Sequence, residues 1–256
     1  MRDAFHAEWT KLRTLASTYW LLSGTVILTV GVSTAVAATT HNTSGSGQDL
    51  TKLSLTGVYV GQTLIAVLAV LAISEEFGTG MICATLTAIP RHLVLLSAKA
   101  TNVACLAFVS GLVAIAGCLV AGRTVLPNDG LNPAHGYALV SIAHGPTLRA
   151  AAGSVIYLVL IALLSLGVAT AIRDTAVSIG AMLGLLYLPQ LVAQVVNEPL
   201  RRHIQQIAPM TAGLVIQSTT NLRSLPIAPW AGLGVLAAWA VTSLLIGGLL
   251  LRLRDA

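Results

Sequence analysis

The chain has 256 residues, of which 55% are hydrophobic and only 9% are charged, and its mean hydropathy is +0.84. A soluble domain carries about 25% charged residues, so the composition excludes an ordinary water-soluble protein and predicts an integral membrane protein. The net charge of +5 does not indicate nucleic-acid binding, because the basic residues are scattered singly and form no basic stripe.

Residues 1–18 are polar enough to stay out of the hydrocarbon, yet they carry an apolar stripe at helical spacing. The stripe contains Phe5, Trp9 and Leu12, whereas charged residues such as Arg13 point away from it. This pattern predicts an N-terminal amphipathic helix that lies in the membrane interface, in contact with lipids. An ordinary lead-in to the first membrane span is the alternative.

Six apolar segments are long enough to cross a membrane, because about 20 helical residues span a hydrocarbon core of about 30 Å. They cover residues 19–39, 55–73, 100–121, 154–172, 176–196 and 230–251. The expected fold class is all-α, a polytopic membrane protein whose single transmembrane domain covers residues 1–256. Ala35-Val36-Ala37 resembles a signal-peptidase site, so a cleaved signal peptide is the alternative to an uncleaved first span.

Charged residues set the expected topology. A charge at the bilayer centre costs about 2.5–3.5 kcal/mol. We therefore expect Arg173-Asp174 at a tight turn between two spans, rather than as a buried ion pair inside one broken helix. Six spans place both termini on one side, and cytoplasmic termini put eight of the fourteen Lys and Arg residues inside.

Two loops on the expected outer side differ in character. Residues 40–54 are rich in Thr, Ser, Asn and Gly, which predicts a flexible link. Residues 197–229 contain a short amphipathic stripe and an apolar stretch too short to span, which fits two short helices that dip into the membrane or an ordinary surface loop. Small residues four apart at Gly57/Gly61 and Gly180/Gly184 predict close helix packing, within the chain or at a dimer seam.

The cytoplasmic loop after the second span holds the only adjacent pair of acidic residues, Glu75 and Glu76. Phe77-Gly78-Thr79-Gly80 is expected to break the helix. Residues 81–89 have the composition and length of a short helix across the membrane face, and Pro90-Arg91 ends it. A transverse helix beside paired acids would dock into a basic groove. A plain loop with charges that stop membrane transfer is the alternative.

This loop resembles the cytoplasmic loop of bacterial ABC transporter permeases of the type-2 exporter class. The similarity lies in Glu-Glu-Phe at 75–77, Gly-Met-Ile at 80–82, Ala-Thr-Leu-Thr-Ala at 84–88 and Pro-Arg at 90–91, followed by Lys99. Glu-Trp-Thr-Lys-Leu-Arg-Thr-Leu at 8–15 resembles the connecting helix before the first span of that family. The six-span plan and the short helices before the sixth span are similar as well.

The resemblance implies a subunit of an ATP-driven exporter in the bacterial cell membrane, working by alternating access. The implied partners are two separate ABC ATPase subunits and a second permease copy or homologue, in a homodimer or heterodimer. The implied ATPase-coupling residues are Glu75, Glu76, Phe77, Gly78, Thr79, Gly80, Met81, Ile82, Cys83, Ala84, Thr85 and Leu86. Members of the family often carry a basic residue where Cys83 stands, which puts the strength or partner choice of ATPase docking in doubt.

The sequence offers no catalytic constellation, no His/Cys cluster for a metal and no cofactor motif. We therefore expect no enzyme activity in this chain and place ATP hydrolysis in a separate subunit. A membrane anchor or sensor that transports nothing is an alternative function. An ion-driven secondary carrier is another, although no carboxylate lies clearly inside a span. Exporters of this class move drugs, lipids, glycans or peptides, and the spans offer few polar or aromatic anchors that would identify the substrate.

Overall fold

The computed structural model describes residues 16–39, 49–78, 92–125, 145–222 and 225–254. Within these ranges every regular element is a helix, which confirms the all-α fold class. The helices are α1 (Ala16–Thr39), α2 (Leu50–Ser54), α3 (Val58–Gly78), α4 (His92–Val125), α5 (Gly145–Ile172), α6 (Thr175–Val195), α7 (Glu198–Ile207), α8 (Pro209–Leu214) and α9 (Pro229–Arg254). A 3-10 turn at Val215–Gln217 follows α8.

Five of these helices, α1, α4, α5, α6 and α9, are long and apolar enough to cross a membrane. They coincide with five of the six expected spans. The remaining expected span, 55–73, coincides with α3, whose apolar part Val58–Ser74 is shorter than the other five. Two of these helices begin before the apolar segments seen in the sequence, since α4 begins at His92 and α5 at Gly145.

Helix α5 forms the centre of the bundle. Its most apolar window is 61% buried, against 22–44% for the windows of the other four spans, and it packs on α3, α4 and α9. Glycine permits the closest of these contacts, because a Cβ on Gly167 would lie 2.6 Å from the backbone nitrogen of Leu244 on α9. Close approach at small residues is typical of helix pairs in membranes.

Helix α1 turns hydroxyl groups towards the protein and large apolar groups outwards. Thr25, Thr29 and Ser33 are buried, whereas Trp20 and Ile27 are 78% and 67% exposed. A helix in water would reverse this arrangement, whereas lipid solvates apolar side chains and hydroxyls bond within the bundle. The distribution therefore supports the membrane assignment independently of helix length.

The two glycine pairs differ in what they contact. A Cβ on Gly57 would overlap the carbonyl oxygen of Thr29, and a Cβ on Gly61 would overlap the Thr29 hydroxyl. This pair therefore packs α3 against α1 within the chain. A Cβ on Gly180 would meet nothing within 4 Å, and one on Gly184 would meet only Leu188 of the same helix. The dimer-seam alternative thus applies only to the pair on α6.

The tight turn expected at Arg173-Asp174 is confirmed, because α5 ends at Ile172 and α6 begins at Thr175. Arg173 has a φ of 66°, in the left-handed region that non-glycine residues seldom adopt. The Asp174 carboxylate caps α6 by accepting a hydrogen bond of 2.8 Å from the backbone nitrogen of Val177. The alternative of one broken helix with an internal ion pair is excluded.

The prediction of a flexible link over residues 40–54 is wrong for residues 49–54, and residues 40–48 lie outside the described residues. Residues 50–54 form α2. The Asp49 carboxylate accepts hydrogen bonds from the backbone nitrogen of Lys52 at 3.1 Å, from the Thr219 hydroxyl at 2.6 Å and from the backbone nitrogen of Thr219. Arg149 donates to the Ser218 carbonyl at 2.7 Å in the same region. We call this end of the bundle, formed by residues 49–57, 145–150, 218–222 and 225–229, the distal end.

Two short helices, expected between residues 197 and 229, are confirmed as α7 and α8. The indole nitrogen of Trp239 donates to the Ile207 carbonyl at 3.0 Å, ten residues after Pro229 along α9. At 1.5 Å per residue this places the α7–α8 junction about 15 Å from the distal end. Residues Met210, Ala212 and Leu214 of α8 are buried. The two helices therefore form a hairpin that enters the bundle.

Candidate functional site

The coupling residues inferred from the sequence lie only partly within the described structure. The backbone of Glu75, Glu76, Phe77 and Gly78 forms the last four residues of α3. Outside the described residues lie Thr79, Gly80, Met81, Ile82, Cys83, Ala84, Thr85 and Leu86, together with Phe5, Trp9, Leu12 and Arg13 of the expected interfacial helix. The described part of the site is thus the end of α3 and what holds it.

Lys99 on α4 holds this end of α3. It is only 3% exposed, and its ammonium nitrogen donates to the Ala72 carbonyl oxygen at 3.1 Å. Ala72 lies three residues before Glu75. A cation beside the carbonyl groups of a helix C-terminus is stabilised by the partial negative charge there. The contact therefore joins α4 to the last turns of α3, where the proposed coupling loop begins.

The beginning of α3 takes part in a hydrogen-bonded cluster that we call the polar centre. It consists of Tyr59, Gln62, Thr63, Tyr157, Tyr187 and Met210. The Tyr157 hydroxyl donates to Gln62 Oε1, and Gln62 Nε2 lies 3.2 Å from the Tyr187 hydroxyl. Gln62 Nε2 also lies 3.3 Å from the sulfur of Met210. The Tyr187 hydroxyl donates to the Tyr59 carbonyl at 2.6 Å and lies 2.7 Å from the Thr63 hydroxyl.

The polar centre joins α3, α5, α6 and α8, since these residues come from all four helices. Gln62 is fully buried and both of its amide atoms have partners, so its polarity is satisfied inside the bundle. Gly213 of α8 packs against the Tyr157 ring, where a Cβ would come within 2.6 Å of Cε2. The hairpin is therefore held at one depth by directional bonds and by a contact that only glycine allows.

A cleft of about 840 Å³ lies between α6, the hairpin and the beginning of α3. Its lining is strongly polar for so apolar a chain. The lining residues that carry polar side chains are Lys52, Tyr59, Gln190, Gln194, Glu198, Arg201, Arg202, Gln205, Gln206, Thr211 and Ser218. Glu198 forms ion pairs with Arg201 and, at 4.0 Å, with Arg202.

Sequence reasoning missed this cleft, because it expected few polar anchors in or near the spans. Four of the seven glutamines in the chain line it. One signal could have revealed it: Gln190 and Gln194 lie four residues apart, on one face of an otherwise apolar segment. The second pair, Gln205 and Gln206, gives no such indication because its approach to α6 depends on how the hairpin folds back.

Neither the models of known protein families nor the curated proteins contain a match to this chain.

Proposed function

We propose that the chain is the transmembrane permease subunit of an ATP-driven ABC exporter of the bacterial cell membrane. It would have six spans, cytoplasmic termini, and a second permease and two ATPase subunits as partners. Helix α3 would supply the second span, since its apolar stretch Val58–Ser74 has 17 residues, at the lower end of the about 17–25 that suffice.

The observation that carries the proposal is the continuity of α3. It runs as one helix from Gln62 and Thr63 in the polar centre to Glu75–Gly78, where the family-like loop begins. Sixteen residues separate Gln62 from Gly78, which corresponds to about 24 Å of helix. Most of its described side chains are buried or half-buried, so its movement would displace its neighbours.

The mechanism that fits is alternating access. Closure of the ATPase pair on ATP would displace the coupling loop, and α3 would carry this displacement to the polar centre as a stiff rod. Lys99 would move α4 together with the end of α3, because it bonds to the Ala72 carbonyl. At the polar centre, the bonds from Gln62 and Thr63 to Tyr187 would transmit the movement to α6. Packed elements with discrete arrangements are what convert small shifts into such transitions.

The first experiment reverses the charges of the acidic pair, in Glu75→Lys/Glu76→Lys, and uses Glu198→Lys as the control. Glu198 is an exposed acidic residue on α7, at the other end of the bundle. We expect the double variant to insert normally into the membrane but to lose stimulation of the ATPase in proteoliposomes. The control should retain this stimulation. Normal stimulation in the double variant would refute the docking role of the pair.

A second measurement separates the exporter from an anchor or sensor. We expect an ABC ATPase to co-purify with the native chain in mild detergent and to be lost from the Glu75→Lys/Glu76→Lys variant. Recovery of the chain without any ATPase would favour the anchor or sensor.

A further inference from the structure

We propose that the cleft between α6 and α7 binds an anionic, hydroxyl-bearing group of the size of a lipid headgroup. Its volume of about 840 Å³ lies within the range of about 300–1,000 Å³ found for small-molecule sites. Binding here requires neither ATP nor a partner subunit, so it is independent of the exporter function proposed above.

The amide groups of the cleft favour hydroxyl groups as ligands. Among the residues that the structure describes, the side-chain amides of Gln190, Gln194 and Gln205 make no hydrogen bond to protein, whereas Gln206 donates to the Pro226 carbonyl at 2.7 Å. Each free amide offers two donors and one acceptor with two lone pairs. Hydroxyl groups both donate and accept, so a polyhydroxylated group can use both functions of each amide.

The charges of the cleft favour an anion. Lys52, Arg201 and Arg202 line it against a single carboxylate, that of Glu198. Glu198 is engaged by both arginines, and the exposed ammonium of Lys52 has no ion-pair partner within the described part of the chain. The lining of the cleft thus carries three cations and one anion. A ligand with at least one negative charge would therefore be stabilised by the excess of positive charge.

The orientation of α7 places its polar face on the cleft and its apolar face away from it. The cleft-lining residues Glu198, Arg201 and Gln205 recur at spacings of three and four and share one face of the helix. Leu200 and Ile207 lie on the opposite face and are 53% and 54% exposed. An amphipathic helix with its apolar side outermost is expected beside lipid. Its polar side then faces the cleft, where its exposed side chains are accessible to a polar ligand.

The test is native mass spectrometry of the full-length protein in detergent, with three probes. Dioctanoyl phosphatidylglycerol carries an anionic, hydroxyl-bearing headgroup, and dioctanoyl phosphatidylcholine carries a zwitterionic headgroup without hydroxyls. Glycerophosphoglycerol is phosphatidylglycerol without its acyl chains. We expect phosphatidylglycerol to bind at least about tenfold more tightly than phosphatidylcholine, which corresponds to one or two net hydrogen bonds.

Two variants locate the binding in the cleft. Gln190→Leu/Gln194→Leu removes two free amides, and Lys52→Met removes the exposed cation. We expect each to weaken phosphatidylglycerol binding about tenfold. The matched control is Arg123→Met, which removes an exposed cation near the end of α4, outside the cleft. It should bind as the wild type does.

The free headgroup identifies the source of the ligand. If glycerophosphoglycerol displaces phosphatidylglycerol at a similar concentration, the site exists and takes a soluble ligand. If phosphatidylglycerol stays bound, the site exists and its ligand is part of a lipid. The proposal is overturned if no phosphatidylglycerol adduct forms, or if phosphatidylcholine binds equally well. It is also overturned if both cleft variants bind as the wild type does, or if Arg123→Met loses as much affinity as Lys52→Met.

Discussion

Substitution of Gly57 by alanine tests the contact between α1 and α3 most directly. The new Cβ would overlap the carbonyl oxygen of Thr29 and lie 2.6 Å from Ser33 Oγ and 2.7 Å from the Thr29 carbonyl carbon. Carbon contacts are optimal at about 3.5–4.0 Å, so α1 would have to move away by about 1 Å or more. The move would also stretch the 2.9 Å hydrogen bond from the Gly57 nitrogen to Ser33 Oγ.

Overpacking costs about 1–3 kcal/mol, and a lost buried hydrogen bond costs about 1 kcal/mol. The expected total is a decrease of about 2–4 kcal/mol in the free energy of unfolding. For a chain of this size it corresponds to a fall of about 5–15 °C in Tm, measured by tryptophan fluorescence in detergent. Gly180→Ala is the control, because nothing lies within 4 Å of its Cβ and alanine favours a helix by about 1 kcal/mol.

A rescue experiment distinguishes backbone overlap from side-chain overlap. At Gly61 the three atoms nearest to the new Cβ all belong to the side chain of Thr29, and only its hydroxyl overlaps, so Thr29→Ala should restore the Tm of Gly61→Ala. The same Thr29→Ala change should not restore Gly57→Ala, because the overlap there is with the Thr29 backbone. Unchanged Tm in Gly57→Ala, an equal fall in Gly180→Ala, or rescue of both glycine variants would refute this packing.

Two further substitutions test single hydrogen bonds. Tyr157→Phe removes the donor to Gln62 Oε1 in the polar centre and should destabilise the fold by about 1–3 kcal/mol. The control is Tyr19→Phe, at a residue that is 55% exposed, which should leave Tm unchanged. Equal changes in Tm for the two variants would contradict the hydrogen bond from Tyr157. Asp174→Ala removes the cap on α6 and should cost about 1 kcal/mol, whereas Asp174→Ser should retain most of the stability. Equal Tm values for the two Asp174 variants would show that the cap contributes nothing.

The local features of the fold were predictable from the sequence, because they depend on neighbouring residues. Apolar length located the five helices that are long enough to cross a membrane, and the charges of Arg173 and Asp174 located a turn within two residues. The bonds that position the helices were not predictable in this way. Gln62 and Tyr157 lie 95 residues apart, and Asp49 and Thr219 lie 170 residues apart. Residues 50–54 were misassigned for this reason, since Asp49 is fixed by a partner from the other end of the chain.

The same difference between local patterns and contacts of distant residues applies to the candidate site. The resemblance of the loop at residues 75–91 is a local pattern that the sequence alone can show, and its role in coupling stays a prediction. The cleft depends on segments that are distant in sequence, around Lys52, around Gln190, over 198–218 and at 225–226, which meet only when the hairpin enters the bundle. Each of these segments is unremarkable alone, so residue spacing could indicate at most the pair Gln190 and Gln194.

Polar bonds carry more of the specificity in this fold than they would in a soluble bundle. Lipid is as apolar as the helix surfaces, so the hydrophobic effect does not hold membrane helices together. The depth of the hairpin is therefore set by directional contacts, chiefly Gln62 with Met210 and Trp239 with Ile207. Because the same Gln62 also bonds Tyr187 on α6, a shift of α3 would act on both walls of the cleft at once. Gln62 thus connects α3 to both α6 and α8.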